Sequence, residues 1–297
     1  MKTYTLLALL VMIIAVFAVS GCTGKTETAA FVGGTDALKM SFVDLPETIF
    51  ANVPFQLAII VQNAGEAPIL KEGATFTLNN ANNFNIWNPV AHNNVNLPAA
   101  KRINNTIIPG GQEFINWGPA KFTGQAGVPL TEEQKVPIFV EACYPYATTM
   151  LTMACVARDT RDCNPAGEKT AQSSGGPIQI KSFKQVAQEI DDANVALNII
   201  IDIENKGKDD IFSINAGCPG PSAAEQNYVA ITAINFGGRP YSVSNCNDPT
   251  ISLFEGKGSA SCSIIVPTKT NFEDELFMTL NYTFRQRLTT EIAVIPP

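Results

Sequence analysis

The chain has 297 residues, 45% hydrophobic and 16% charged, with a formal net charge of −7 and a single histidine. A nucleic-acid binder needs clustered Lys and Arg to displace counterions from phosphates, and this acidic chain has no such cluster, which excludes nucleic acid as a partner. With 21 Gly, 19 Pro and 17 Phe and few stretches rich in Ala, Glu, Lys and Leu, the composition predicts an all-β protein.

The first predicted element is a leader. Lys2 and the amino terminus form a weak positive region, Leu6 to Val19 is apolar, and the small residues Ser20 and Gly21 precede Cys22. Val19-Ser20-Gly21-Cys22 has the pattern of a lipobox, in which residues 1–21 are removed as a signal peptide and the Cys22 thiol carries a diacylglyceryl group. The apolar run falls short of the roughly 20 residues that span a bilayer comfortably. Two acyl chains, at about 0.8 kcal/mol per buried CH₂, hold a protein to a membrane where one does not. Whether the leader is cleaved or kept as an anchor, the remainder is expected outside the cytoplasm, at the outer face of the cytoplasmic membrane or the cell surface. Residues 22–32, mostly small and polar, read as a tether.

A first domain is predicted over 33–174. Leu38 to Phe42 alternates as a strand, Pro46 breaks it, and Phe55 to Val61 reads as a more buried strand before the turn signal Asn63-Ala64-Gly65. Asn and Gly both tolerate positive φ. Further strands are expected at Thr75 to Leu78, Gln112 to Trp117 and Ile138 to Cys143, the last turning near Ala147-Thr148-Thr149 into a return strand, Met150 to Ala157. The polar stretch from Arg158 to Gly176 reads as the boundary, and a second domain is predicted over 175–297.

The second half repeats the first. Gly33-Gly34 and Asn63-Ala64-Gly65 recur as Gly175-Gly176 and Asn205-Lys206-Gly207, both at an offset of 142 residues. Phe139, Tyr144 and Tyr146 recur as Phe277, Tyr282 and Phe284 at an offset of 138, as a small loop deletion would produce. Short strands with frequent turn signals in halves of this size fit two tandem immunoglobulin-like β-sandwiches.

Six cysteines follow Cys22, and none forms a CxxC pair, so disulfides rather than a metal site or a redox motif are expected. Cys143 and Cys155 flank the predicted turn and are expected to pair, as are Cys246 and Cys262 around Gly256-Lys257-Gly258, each closure contributing on the order of 3 kcal/mol. Cys163 and Cys218 then pair with each other or stay free. The competing arrangement joins Cys155 to Cys163.

The apolar strand ending in Asn-x-Gly at Asn63/Gly65 and Asn205/Gly207, with the late aromatic strand, resembles the CARDB-type immunoglobulin-like domains of cell-surface proteins. Gly33-Gly34-Thr35-Asp36-Ala37-Leu38 and Cys143-Tyr144-Pro145-Tyr146 are similar to segments of archaeal surface proteins with paired domains of that kind. The resemblance implies adhesion, envelope structure or assembly at the surface, through contacts with other envelope proteins. It supplies no catalytic residues, and fold alone does not give function.

No cofactor and no enzymatic activity are predicted. A Ser-His-Asp or Cys-His system would have to be built on His92, which lies in an Asn-rich loop, and neither a Gly-x-Ser-x-Gly elbow nor an HExxH helix is present. The adjacent acids Glu132-Glu133, Asp191-Asp192 and Asp209-Asp210 read as exposed turns. Asn79 to Asn96 holds nine Asn with Trp87 and His92, the residue types that bind a glycan through amides and a ring face. This is the alternative function, a receptor for a glycan or small solute, set against a plain connection between sheets. Asp159, Asp162, Asn164 and Glu168 offer hard oxygen ligands but lack EF-hand spacing. Asn104-Asn105-Thr106 and Asn281-Tyr282-Thr283 are sequons, Asn104 being the better acceptor because Asn281 falls in a predicted strand. The aromatics of Tyr144-Pro145-Tyr146 are expected to pack in the core.

Overall fold

The computed structural model of the protein describes residues 30–104, 106–124, 130–159, 162–218 and 222–297, and these are all-β. The leader, Cys22 and the tether up to residue 29 lie outside the described residues, as does Asn105. The first half contributes β1 (Leu38–Phe42), β2 (Thr48–Phe50), β3 (Pro54–Asn63), β4 (Thr75–Asn79), β5 (Phe84–Ile86), β6 (Ala91–His92), β7 (Lys101–Ile103), β8 (Thr106–Ile108), β9 (Gln112–Phe122) and β10 (Gln134–Val156). The boundary stretch contributes β11 (Ala166–Lys169) and β12 (Ala171–Ser173), and the second half β13 (Ile178–Asp191), β14 (Asn194–Asn205), β15 (Asp210–Phe212), β16 (Tyr228–Phe236), β17 (Arg239–Tyr241), β18 (Thr250–Ser252), β19 (Lys257–Pro267) and β20 (Phe272–Ile295).

In the first half, strand order β1-β3-β9-β5 makes one sheet and β4 and β10 lie in the other, the two-sheet order of an immunoglobulin sandwich. In the second half β13, β14 and β19 form the equivalent of β1, β3 and β9, while β16 and β20 take the places of β4 and β10. Leu57, Ile59 and Val61 of β3 and Leu197, Ile199, Ile201 and Ile203 of β14 are fully buried, so the long apolar strands of the sequence are the central core strands.

The predicted hairpin around Ala147-Thr148-Thr149 does not form. β10 continues without a turn for 23 residues, and every one of them pairs antiparallel with β20, from Gln134 opposite Val294 to Val156 opposite Phe272. At about 3.3 Å per residue the pair extends for roughly 75 Å. The segment lacks the Gly, Asn or Asp that a tight turn requires. Its alternation continues instead, with Ile138, Val140, Ala142, Tyr144, Tyr146, Thr148, Met150 and Ala154 all buried on one face.

Each long strand therefore serves both halves. The first part of β10 pairs with β4 and its last part with β12 of the boundary stretch, while β20 pairs with β16 of its own half at one end and with β2 of the first half at the other. The inward faces of both halves meet in a single hydrophobic cluster. Gln185 of β13 clasps the far end of β10, its amide oxygen accepting from the Cys155 N–H at 3.0 Å and its Nε2 donating to the Cys155 carbonyl at 2.8 Å. Pro145 is tolerated in so central a strand because odd-numbered N–H groups of β10 point away from β20, as the bond from Thr149 N–H to the Ser174 hydroxyl shows. At residue 145 that edge is the interval between β4, which ends its pairing at Cys143, and β12, which begins at Met150.

The disulfides correct the expected pairing. Cys143 bonds Cys218, Cys155 bonds Cys163 and Cys246 bonds Cys262. Because β10 does not turn, Cys143 and Cys155 lie twelve residues apart on one strand, roughly 40 Å, and cannot meet. Cys163 and Cys218 are both bonded, but not to each other. Cys143–Cys218, with a sequence separation of 75, is the bond that ties the halves together.

Candidate functional site

The two Gly-Gly segments of the repeat meet at one junction. The Gly176 N–H donates to the Gly34 carbonyl at 3.1 Å, and the Glu66 N–H donates to the Gly175 carbonyl at 3.1 Å. The Glu66 carboxylate accepts three backbone N–H groups, from Val32 at 2.8 Å, Gly33 at 3.0 Å and Gly175 at 2.6 Å. Such bonds to an ionised acceptor are the stronger kind. The Tyr146 hydroxyl donates to the Gly175 carbonyl at 3.0 Å and accepts from the Ala67 N–H at 3.4 Å. Gly65 is required here, because a Cβ at that position would collide with the Tyr146 hydroxyl.

The Asn-x-Gly turns have the same geometry in both halves. The Asn63 amide oxygen accepts from the Gly65 N–H at 3.1 Å and its nitrogen donates to the Ala67 carbonyl at 2.8 Å. Asn205 does the same with Gly207 at 3.0 Å and Asp209 at 3.3 Å. The aromatics of the repeat interlock between them. Tyr144 and Tyr282 are fully buried, Tyr144 stacks edge-on to Phe284 with ring centroids 5.8 Å apart, and Tyr282 shares a 2.9 Å hydroxyl contact with Thr148. Burial holds the hydroxyl pKa values of Tyr144, Tyr146 and Tyr282 well above the ordinary phenol range.

Two segments leave the junction. The chain arrives from Ala30, whose N–H donates to the Gln172 side chain at 2.9 Å. The β7–β8 hairpin departs beside it, and the Arg102 Nε donates to the Phe31 carbonyl at 2.7 Å. Ala30 and Ile103 line the same cleft, which opens between them.

The residues singled out by the sequence are dispersed. Trp87 is 83% exposed, whereas the His92 ring packs edge-on against Trp117, with centroids 5.4 Å apart. Burial lowers the His92 pKa, so it is neutral near pH 7, and its Nε2 is buried without a partner. Two of the loop amides are used internally: Asn80 Nδ2 donates to the Pro137 carbonyl at 2.6 Å and Asn88 Nδ2 to the Asn116 carbonyl at 3.0 Å. Asn104 sits at the end of the β7–β8 hairpin with positive φ. Asn281 lies in β20 between β10 and β16, with its amide oxygen buried and unpartnered.

Asp191, Asp209 and Asp210 each make contacts within the fold. Asp210 bonds Arg285 at 2.6 Å, and Asp209, whose pKa is raised chiefly by burial, accepts from the Arg287 N–H at 3.3 Å. Asp191 caps the turn before β14 through the Ala193 N–H at 2.8 Å and the Asn194 amide. Asp159 and Asp162 both accept from the Asn271 amide, at 3.2 and 2.9 Å. Among the described residues no group of three or more His, Cys, Asp or Glu side chains is placed to hold a metal ion. Also among them, no helix is long and apolar enough to cross a membrane.

No protein-family model matches the chain, and no curated protein matches it in sequence. Among solved structures it is similar to the crystal structure of collagen adhesin from S. aureus, at 11% identity over 91% of this chain and 95% of that one, with a TM-score of 0.14. A TM-score of that size carries nothing about this chain's activity. The three disulfides of the described residues are those of a protein that folds in an oxidising, extracytoplasmic compartment.

Proposed function

We propose that the protein is a non-catalytic surface lipoprotein, held at the outer face of the cytoplasmic membrane through Cys22, which serves the cell envelope as a structural, assembly or adhesion subunit acting through protein contacts. The observation that supports this most is the sharing of β10 and β20 between both halves along their full length. It makes one stiff body from two sandwiches, suited to holding partners at a fixed distance. The matching Asn-x-Gly turns of the two halves favour the CARDB-type kinship.

Gentle crosslinking of the full chain in native membranes, with mass spectrometry of the captured material, tests the proposal. One recurring envelope protein bearing crosslinks to defined residues is the expected result. Capture of random neighbours in proportion to their abundance overturns it. The second reading, a glycan receptor, is favoured by the exposed Trp87 ring. It predicts a glycan that raises the thermal stability of the protein and loses that effect on Trp87→Ala.

A further inference from the structure

We propose that the β7–β8 hairpin docks into the membrane interface, as a second attachment beside the lipidated cysteine. The inference takes its orientation from the lipoprotein reading of Cys22. Among the described residues the hairpin pairs with no other strand, and Ile103, Ile107 and Ile108 are exposed by 53%, 50% and 44%. Its register, with Ile103 opposite Thr106, Arg102 opposite Ile107 and Lys101 opposite Ile108, puts Ile103 and Ile108 on one face and Ile107 on the other.

Apolar residues on both faces decide the occupant. A second copy of the chain or another protein would cover one face of a two-stranded ribbon and leave the other in water. A lipid interface surrounds both. Lys101 and Arg102 add positive charge suited to lipid phosphates, although the chain as a whole is acidic.

Position gives the second line of argument. The root of the hairpin is fixed to the core, with the Ala100 N–H donating to the Gly65 carbonyl at 2.9 Å and the Gly111 N–H to the Pro98 carbonyl at 2.8 Å. Arg102 binds the Phe31 carbonyl, and Ile103 shares a cleft with Ala30, so the hairpin stands where the chain leaves for Cys22. Seven residues lie between Cys22 and Ala30, eight Cα steps with a reach of at most about 28 Å. A three-rung hairpin extends roughly 10 Å, the depth of the headgroup and upper acyl layer.

The test uses the full chain, reconstituted in vesicles of phosphatidylglycerol and brominated phosphatidylcholine, which quenches tryptophan by contact. Trp87→Phe removes the exposed native indole, and Ile107→Trp or, as a control on the outer face of β13, Val186→Trp is added. Quenching of the I107W signal about five-fold greater than that of V186W is expected for an interfacial hairpin. Equal, weak quenching at both positions in protein whose mass carries lipid on Cys22 overturns the inference and leaves the lipoprotein reading intact. A blue-shifted but unquenched I107W signal that depends on protein concentration assigns the hairpin to a second copy and also overturns it, as does a glycan on Asn104. Strong I107W quenching with an unmodified Cys22 upholds the hairpin and removes the lipid anchor.

Discussion

Pro145 and Thr283 stand opposite each other in the pairing of β10 with β20, and they are also equivalent positions of the repeat at its offset of 138 residues. A residue paired with its own equivalent marks a local pseudo-twofold axis. Around that axis Tyr144 faces Phe284 and Tyr146 faces Tyr282, so each half donates to the other the aromatics it also uses itself.

The cross-half disulfide should carry measurable stability. Cys143→Ser with Cys218→Ser releases a closed loop of 75 residues, and in the loop-entropy model this costs about 4 kcal/mol. Guanidinium unfolding of the double variant against the parent reads the loss directly. A change under about 1 kcal/mol would mean the shared sheet alone fixes the halves.

Gly65 and Tyr146 should be coupled. Gly65→Ala drives a methyl into the Tyr146 hydroxyl, with the Gly175 carbonyl also 2.9 Å from the new atom, for an expected cost of roughly 2–3 kcal/mol. Tyr146→Phe takes the acceptor from the Ala67 N–H and leaves the Gly175 carbonyl with the Glu66 N–H alone. Combined with Gly65→Ala, however, it opens the space the methyl needs. The double variant should therefore lose at least about 1 kcal/mol less than the sum of the singles in a double-mutant cycle.

Removing the Glu66 carboxylate should loosen the N-terminal segment before anything else. Glu66→Ala leaves the N–H groups of Val32, Gly33 and Gly175 without an acceptor, at about 2–4 kcal/mol. Limited proteolysis should then cut ahead of Leu38 while the sheets stay protected. Glu66→Gln, which keeps one acceptor oxygen, should be intermediate.

Alkaline pH should unfold the protein through its tyrosines. The folded-state pKa values of Tyr144, Tyr146 and Tyr282 lie above the unfolded value, because burial disfavours the phenolate. The stability they contribute is complete below about pH 10 and falls as pH rises above it, since the unfolded chain then releases protons that the fold retains. Absorbance at the phenolate band should rise together with loss of near-ultraviolet circular dichroism. Tyr282→Phe should make stability fall less steeply with pH above that point.

Much of the architecture was legible in the sequence. The all-β class, the buried strands at Phe55 to Val61 and Val195 to Ile203, the recurring Asn-x-Gly turns and the packing of Tyr144 and Tyr146 follow from alternation, turn chemistry and composition, which act over a few residues. Ala147-Thr148-Thr149 carries no turn residue and the alternation continues through it, so the unbroken course of β10 is also a local property of the sequence. The disulfide partner of Cys143, the joining of both sandwiches in one sheet, and the packing of His92 on Trp117 were not legible. They depend on which strands become neighbours across more than a hundred residues, a choice made by the burial of whole faces rather than by any local signal. The sequence by itself determined what each strand is; only the tertiary structure decided which half each long strand serves, because a strand longer than its own sandwich gains its remaining hydrogen bonds and buried surface from the other.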